Sequence, residues 1–213
     1  DLGRPSSRRQ TIEVRRAGYI ASTGLAGKTE TRVQVETLVL EGLTIRVFAP
    51  LNAPEILPAA IYYHGGCFIS GGFETHDNQL RQLACYGNCR VIAVQYRLAP
   101  EHTFPAAHDD AERGADLVWQ YAEKLGVDKN RLTLCGDSAG GHLALVTALR
   151  LKVKKLWQPV QLILIYPMLD ATASFESYAL NGTDYIITRD TLLSGYDMYL
   201  AETDRQHPET SPL

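Results

Sequence analysis

The sequence predicts an α/β fold, a mostly parallel sheet with helices on both faces, and three observations predict it. Short, nearly continuous apolar runs recur along the chain, segments of helical length separate them, and two of the runs lead directly into glycine-rich turns. The opening segment, residues 1–31, is polar, and its arginines Arg4, Arg8, Arg9, Arg15 and Arg16 read as a solvated terminal arm. Residues 32–40 and 44–48 read as two strands joined by the turn residues Glu41 and Gly42, a hairpin. Further strands are expected at 59–63, 91–94, 132–135 and 162–166, whose unbroken apolar character suits strands covered on both faces.

Helices are expected at about 77–86, 106–125 and 138–155. In the second, Ala107, Ala111, Ala115, Val118 and Ala122 recur every three or four residues and make a narrow packing stripe of small side chains. Lys152, Lys154 and Lys155 fall at the end of the third, where cations suit the helix dipole and need no ligand. Residues 170–213 are polar and aromatic, with Tyr178, Tyr185, Tyr196 and Tyr199 and a helix expected over 189–200. They resemble an insertion more than another sheet layer, which divides the chain into an arm (1–31), a core (32–169) and an insertion (170–213).

The 24 acidic against 21 basic residues leave a net charge of −3, so no overall field favours nucleic acid or anionic lipid. No stretch approaches the roughly 20 apolar residues needed to cross a bilayer. The chain begins at Asp1 without an initiator Met or an apolar signal region, which is expected to reflect trimming and leaves export open; the cytoplasmic reading comes from the cysteines. Cys67, Cys85, Cys89 and Cys135 lack paired CxxC spacing and read as reduced thiols. Cys85 and Cys89, four apart on one expected helix face, have no His or carboxylate partners nearby and are assigned to core packing rather than to half a metal site.

Two motifs carry chemistry. The run Leu132-Thr133-Leu134-Cys135 enters Gly136-Asp137-Ser138-Ala139-Gly140-Gly141 and then turns helical, the strand, sharp turn and helix that a nucleophile elbow requires. Gly136 and Gly140 flank Ser138 two residues to each side, where a side chain would crowd the turn and the neighbouring backbone. The second motif, His64-Gly65-Gly66-Cys67, follows the strand at 59–63 and can turn backbone N–H groups toward a carbonyl that Ser138 attacks, with the N–H of Ala139 completing an oxyanion hole. A phosphate-cradling loop would need a Lys or GxGxxG spacing that is absent here. His64 precedes the loop and reads as its brace, while His102, His108 and His142 read as structural or exposed.

Four spaced segments, HGGC at 64–67, YRLAPEH at 96–102, FPAA at 104–107 and GDSAGG at 136–141, together resemble the hormone-sensitive-lipase-like carboxylesterase family. The resemblance implies an α/β-hydrolase fold acting on short-chain carboxylic esters through an acyl-serine, with no cofactor and no metal, and a small-molecule ester as partner. Residue by residue, it makes Ser138 the nucleophile and the N–H groups of Gly66, Cys67 and Ala139 the oxyanion donors. Cys67 stands where the family usually has a third glycine; it serves only if the loop does not demand a positive φ there, and its side chain is expected to narrow the acyl pocket. Pro100 and Pro105 read as scaffold, and Asp110 matches the family's acidic position on the following helix.

The family's order is Ser, then Asp or Glu, then His, on loops after two further strands. His207 is the one histidine after the elbow helix and lies in the polar segment His207-Pro208-Glu209, so the triad acid and base are expected outside this chain, which ends at Ser211-Pro212-Leu213. The 213 residues alone are then expected to be nearly inert and poorly covered along the apolar strand 162–166. A C-terminal piece from elsewhere and a homo-oligomer both stay open. So does the rival reading, a catalytically dead hydrolase fold that binds a small ligand between the sheet edge and a cap of the arm and the insertion.

Overall fold

The computed structural model describes residues 7–213, and Arg4 lies outside them. Six strands form one sheet: β1 (Val33–Leu40), β2 (Leu43–Pro50), β3 (Leu57–Tyr63), β4 (Arg90–Val94), β5 (Val127–Asp137) and β6 (Gln161–Ile165), in the order β1-β2-β4-β3-β5-β6. The hairpin forms where expected, because Glu41 and Gly42 both take positive φ (48° and 85°) and that turn matches the twist of the paired strands. β2 joins β4 antiparallel, and β4, β3, β5 and β6 run parallel.

Helices α1 (Ile12–Ala21), α2 (Phe73–Gly87), α3 (Ala106–Gln120) and α4 (Ala139–Val153) surround the sheet, and the period-2 alternation of the strands decides which one each side chain meets. Ile61, Tyr63, Ile92, Val94, Leu132 and Leu134 share a core with α3 and α4, whereas Ala60, Tyr62, Val91, Ala93 and Cys135 share a second core with Phe73, Leu80 and Ala84 of α2. The small-residue stripe of α3 is wholly buried and lets the helix lie close to the sheet. At Gly114 the approach is closest, since a Cβ there would stand 2.8 and 2.9 Å from the two methyls of Val94.

Several boundaries differ from the sequence reading. α2 starts at Phe73 because Thr75 Oγ1 accepts the Gly72 N–H at 3.0 Å and satisfies a first-turn donor. It stops at Gly87 because Asn88 turns left-handed, so Cys89 leaves the helix and shares no helix face with Cys85. α3 ends at Gln120, not 125; turns carry the chain to Gly126 (φ 63°), and β5 starts earlier, at Val127. α4 ends at Val153, since Lys155 adopts φ 54°, and Lys154 pairs with Glu112.

Three arginines of the basic arm have partners, although Arg8 keeps half its side chain exposed. Arg8 pairs with Asp190 (2.6 Å) and Asp197 (2.7 Å), and Arg15 donates to Ser194 Oγ at 3.0 Å, all three partners on α6 (Arg189–Leu200). Arg16 clamps Glu101 with both Nη atoms at 2.7 Å and donates to the carbonyls of Ile69 (2.8 Å) and Ala99 (3.0 Å). A planar guanidinium suits several fixed acceptors at once, and charge counting along the sequence could not reveal them.

Residues 170–213 hold a short α5 (Ser177–Leu180) and α6, and no strand among the described residues. α6 sinks Tyr196, Tyr199 and Leu200 into the larger core. The chain after it is tied down by Glu209, whose carboxylate takes two bonds from Arg150 (2.7 and 2.6 Å) and whose carbonyl lies 2.8 Å from His142 Nε2 and 3.1 Å from His108 Nε2. β6 lies at the outer edge, its apolar side chains only half covered.

Gly114→Ala tests the close approach. Helix propensity favours alanine by about 1 kcal/mol, but Val94 is fully buried and cannot yield, and overpacking costs about 1–3 kcal/mol. The expected outcome of a thermal melt is a net loss of up to about 2 kcal/mol and a midpoint lower by several degrees.

Candidate active site

The pairing of β3 with β5 runs through Tyr63↔Gly136, so the two motif-bearing turns leave the sheet side by side. Ser138, two residues beyond Gly136, adopts φ 54°, ψ −117°, a conformation costing a non-glycine residue about 1–3 kcal/mol. The strain is held from both sides: the Ser138 N–H donates to Ile165 O at 2.8 Å, and its carbonyl accepts from His142 N–H and Met168 N–H, each at 3.1 Å. The flanking glycines are obligatory on steric grounds. A Cβ on Gly136 would lie 2.3 Å from the Gly140 backbone, and one on Gly140 would lie 1.8 Å from Tyr63 O. The turn therefore closes tightly and leaves the Ser138 side chain half-buried at the C-terminal end of the sheet.

The neighbouring loop folds around one carbonyl. Gly66 O accepts the N–H groups of Ile69 (3.1 Å) and Ser70 (3.0 Å) and the Ser70 hydroxyl (3.0 Å). With its carbonyl turned inward, the loop leaves the N–H groups of Gly66 and Cys67 with no acceptor among the described residues. Gly66 has φ 127°, and a Cβ there would meet Ser70 O at 2.1 Å. Cys67 departs from the condition set for it, since the loop does demand positive φ: Cys67 sits at 55° and Phe68 at 64°. The left-handed conformation costs an L-residue about 1–2 kcal/mol. Packing offsets it, because Cys67 is buried against Gly195 of α6, where a Cβ would come within 2.6 Å of the Cys67 Cβ. Burial pushes the Cys67 thiol up to about 11, which leaves it protonated and unreactive at neutral pH.

A sequence profile of the family described as "alpha/beta hydrolase fold" matches residues 60–213, the span that holds both turns. The chain belongs to the α/β-hydrolase family. It is 36% identical over 210 residues to an ethyl acetate hydrolase of Pseudomonas putida, covering 94% of this chain and 66% of that protein. It is 37% identical over 175 residues to the carboxylesterase NlhH of Mycobacterium tuberculosis, covering 81% of this chain and 54% of the relative. The crystal structure of an esterase from the bacterial hormone-sensitive lipase family superposes with a TM-score of 0.88 at 28% identity, over 99% of this chain and 68% of the other. The chain thus spans between about half and two thirds of the length of these curated relatives, and the resemblance drawn from its four motifs holds.

The hydrolase fold also assembles residues that the sequence reading passed over. Asp137, just before Ser138, is 5% exposed and turns its side chain toward α2. Its Oδ1 accepts the Tyr62 hydroxyl (2.8 Å) and the Gly65 N–H (3.0 Å) and lies 3.2 Å from His76 Nε2. Burial alone would raise this carboxyl, but the hydrogen bonds from His76 and Tyr62 outweigh it and hold Asp137 below the usual carboxylate range. The missed signal was positional: His76 falls in the buried stripe Phe73, His76, Leu80, Ala84, and a histidine on an apolar helix face requires a partner.

The remaining histidines of the chain, His102 apart, are held by partners other than the Ser138 side chain. His64 Nδ1 faces Gly65 O at 2.8 Å and the Tyr96 hydroxyl at 3.1 Å, and burial, reinforced by His76, pushes the ring down to about 4, so it stays neutral. His108 meets Tyr199 Oη at 2.6 Å, His142 meets Met168 O at 2.6 Å, and their Nε2 atoms lie 3.0 Å apart. His207 Nδ1 accepts the Glu209 N–H at 3.1 Å, and His102 is exposed. Asp110 is held by Arg97 through both carboxylate oxygens (2.8 and 2.9 Å). Among the described residues no cluster of His, Cys, Asp or Glu is arranged to hold a metal ion. No helix of those residues is long and apolar enough to cross a membrane. An open cavity of about 600 Å³ lies in the insertion among Tyr178, Tyr185, Ile186, Ile187 and Leu192, and neither Ser138 nor the 64–67 loop lines it.

Gly140→Ala is expected to destabilise by about 3 kcal/mol or more, because the atoms its Cβ meets are backbone and cannot yield. Gly18→Ala in α1, with nothing within 4 Å, should be neutral or slightly stabilising. Urea denaturation of the two variants beside the parent measures the contrast.

Proposed function

We propose that the protein is a serine carboxylesterase that hydrolyses short-chain carboxylic esters. The observation that carries this reading is the strained Ser138 at the β5–α4 turn beside two loop N–H groups that have no acceptor among the described residues. In the proposed reaction Ser138 Oγ attacks the ester carbonyl and a general base takes its proton. The N–H groups of Gly66, Cys67 and Ala139 hold the oxyanion. The alcohol leaves with that proton, and water then releases the acid from the acyl-serine. Every histidine of these residues is engaged elsewhere or exposed, so the base and its orienting acid are proposed to come from outside the 213 residues.

The α1 arm and residues 170–213 are proposed as a cap over residues 32–169. The ion pairs of Arg8 and Arg15 with α6 support this, as does the seating of Gly195 on Cys67. The name of the Pseudomonas putida relative, an ethyl acetate hydrolase, supports a short acyl chain. Four free cysteines support a reducing compartment such as the cytoplasm.

The engagement of the histidines by other partners favours one rival, a hydrolase fold that binds a small ligand without turnover. Treating the whole protein with a fluorophosphonate and measuring intact mass separates the two. A single adduct that disappears in Ser138→Ala is expected; tight ester binding with no adduct and no acid released would establish the rival.

For chain length, kcat/KM on acetyl and butyryl esters is expected to exceed that on palmitoyl esters by about tenfold or more. Equal rates across the three would remove the short-chain assignment.

A further inference from the structure

We propose that His76 is a positioning residue for the oxyanion donors, acting through Asp137; this rests on Ser138 being the nucleophile. The Gly65 peptide is the joint between the sheet and the donor loop, and side chains grip it from both sides. Its N–H donates to Asp137 Oδ1 at 3.0 Å, and its carbonyl is faced by His64 Nδ1 at 2.8 Å. A Cβ at Gly65 would stand 2.2 Å from Asp137 Oδ2, so the carboxylate fills the space a side chain would take. The placement of the Gly66 and Cys67 N–H groups thus depends on where the Asp137 carboxylate is held.

That carboxylate is buried one residue from the nucleophile, and neither Arg nor Lys is among its hydrogen-bonding partners. An ionised group there repels the negative charge that develops on the substrate oxygen, and the repulsion grows as water is excluded. His76 Nε2, 3.2 Å from Oδ1, answers both demands: a ring N–H there fixes the carboxylate and sets the positive end of its dipole against it.

The ring itself has no freedom to leave. Its Nδ1 lies 2.8 Å from Thr75 Oγ1, the hydroxyl that also takes the Gly72 N–H at the start of α2. Tyr19 meets it edge-on at 6.0 Å, with Tyr62 at 6.2 Å and His64 at 5.6 Å. Gln79, one turn further along α2, donates to the Tyr62 hydroxyl at 3.0 Å, and Tyr62 donates on to Asp137. Two residues of one helix therefore converge on the same carboxylate oxygen.

The test compares His76→Ala, His76→Gln and the double variant His76→Ala/Asp137→Asn in the whole protein, by ester kinetics and by the rate of fluorophosphonate adduct formation. His76→Ala is expected to lower kcat about 100-fold, with KM within about twofold, as a displaced donor set does. His76→Gln, which can still donate to Asp137, should recover about tenfold. The double variant should be faster than His76→Ala alone, because removing the uncompensated charge relieves the repulsion; a purely structural role makes it as slow or slower. Wild-type kcat in His76→Ala, or no gain in the double variant, would overturn the proposal. If His76→Ala loses its cooperative melt, His76→Gln with and without Asp137→Asn carries the same comparison, with kcat lowered and then raised in support and no change against. Absence of an adduct on the parent protein would overturn the nucleophile reading and this one together, whereas a reactive parent with an equally reactive His76→Ala overturns this one alone.

Discussion

The parallel pairing of β3 with β5 is the constraint on which the site depends. Its register sets Tyr63 beside Gly136, so the loop after one strand and the elbow after the other leave the sheet at the same level. The crowding between them is severe: Tyr63 O and His64 O stand 1.8 and 2.7 Å from where a Gly140 Cβ would be. Two backbones approach this closely only because glycine stands at the contact. Ligand crevices form at the C-terminal ends of parallel strands where successive crossovers depart to opposite faces. Here α2 leaves β3 on one face, and α3 and α4 cover the other.

Strain is concentrated at this junction. Ser138, Cys67 and Phe68 all hold positive φ, and each conformation persists because the surroundings over-determine it. Backbone bonds grip Ser138 on both sides, α6 presses on Cys67 through Gly195, and Phe68 stacks on Tyr199 at 4.3 Å. The segments that supply this packing are themselves anchored by charge. Arg8 and Arg15 reach α6, and Arg150, only 14% exposed in its side chain, joins Asp109, Glu112 and Glu209. Exposed pairs contribute little singly, so the arm is held mainly by the sum of its contacts.

Cys67 shows how a local rule is overridden by tertiary contact. Glycine is the residue that suits its backbone angle, yet the position is filled by a buried side chain that a glycine on another helix accommodates. A missing side chain at 195 makes room for an extra one at 67, and neither residue is intelligible without the other.

The elements and both glycine turns were legible in the sequence because they are set locally, by period-2 and period-3.6 apolar patterning and by glycine at fixed offsets from Ser138. The hairpin, the sheet of six strands, the small-residue stripe of α3 and the helix at 189–200 all come from such short-range signals. Helix ends were misjudged at the start of α2, at Phe73 and not 77, and at the end of α3, at Gln120 and not 125, since propensity announces neither. Only the tertiary structure decided that Arg8, Arg15 and Arg16 are engaged, that Cys67 sits left-handed, and that His76, Tyr62 and Gly65 meet on Asp137. Those contacts join residues from 53 to 189 positions apart, apart from the Cys67 angle that the Gly195 contact supports, and their pairing is set by how the sheet and helices stack. Sequence determines which face a residue takes; stacking determines what it meets there.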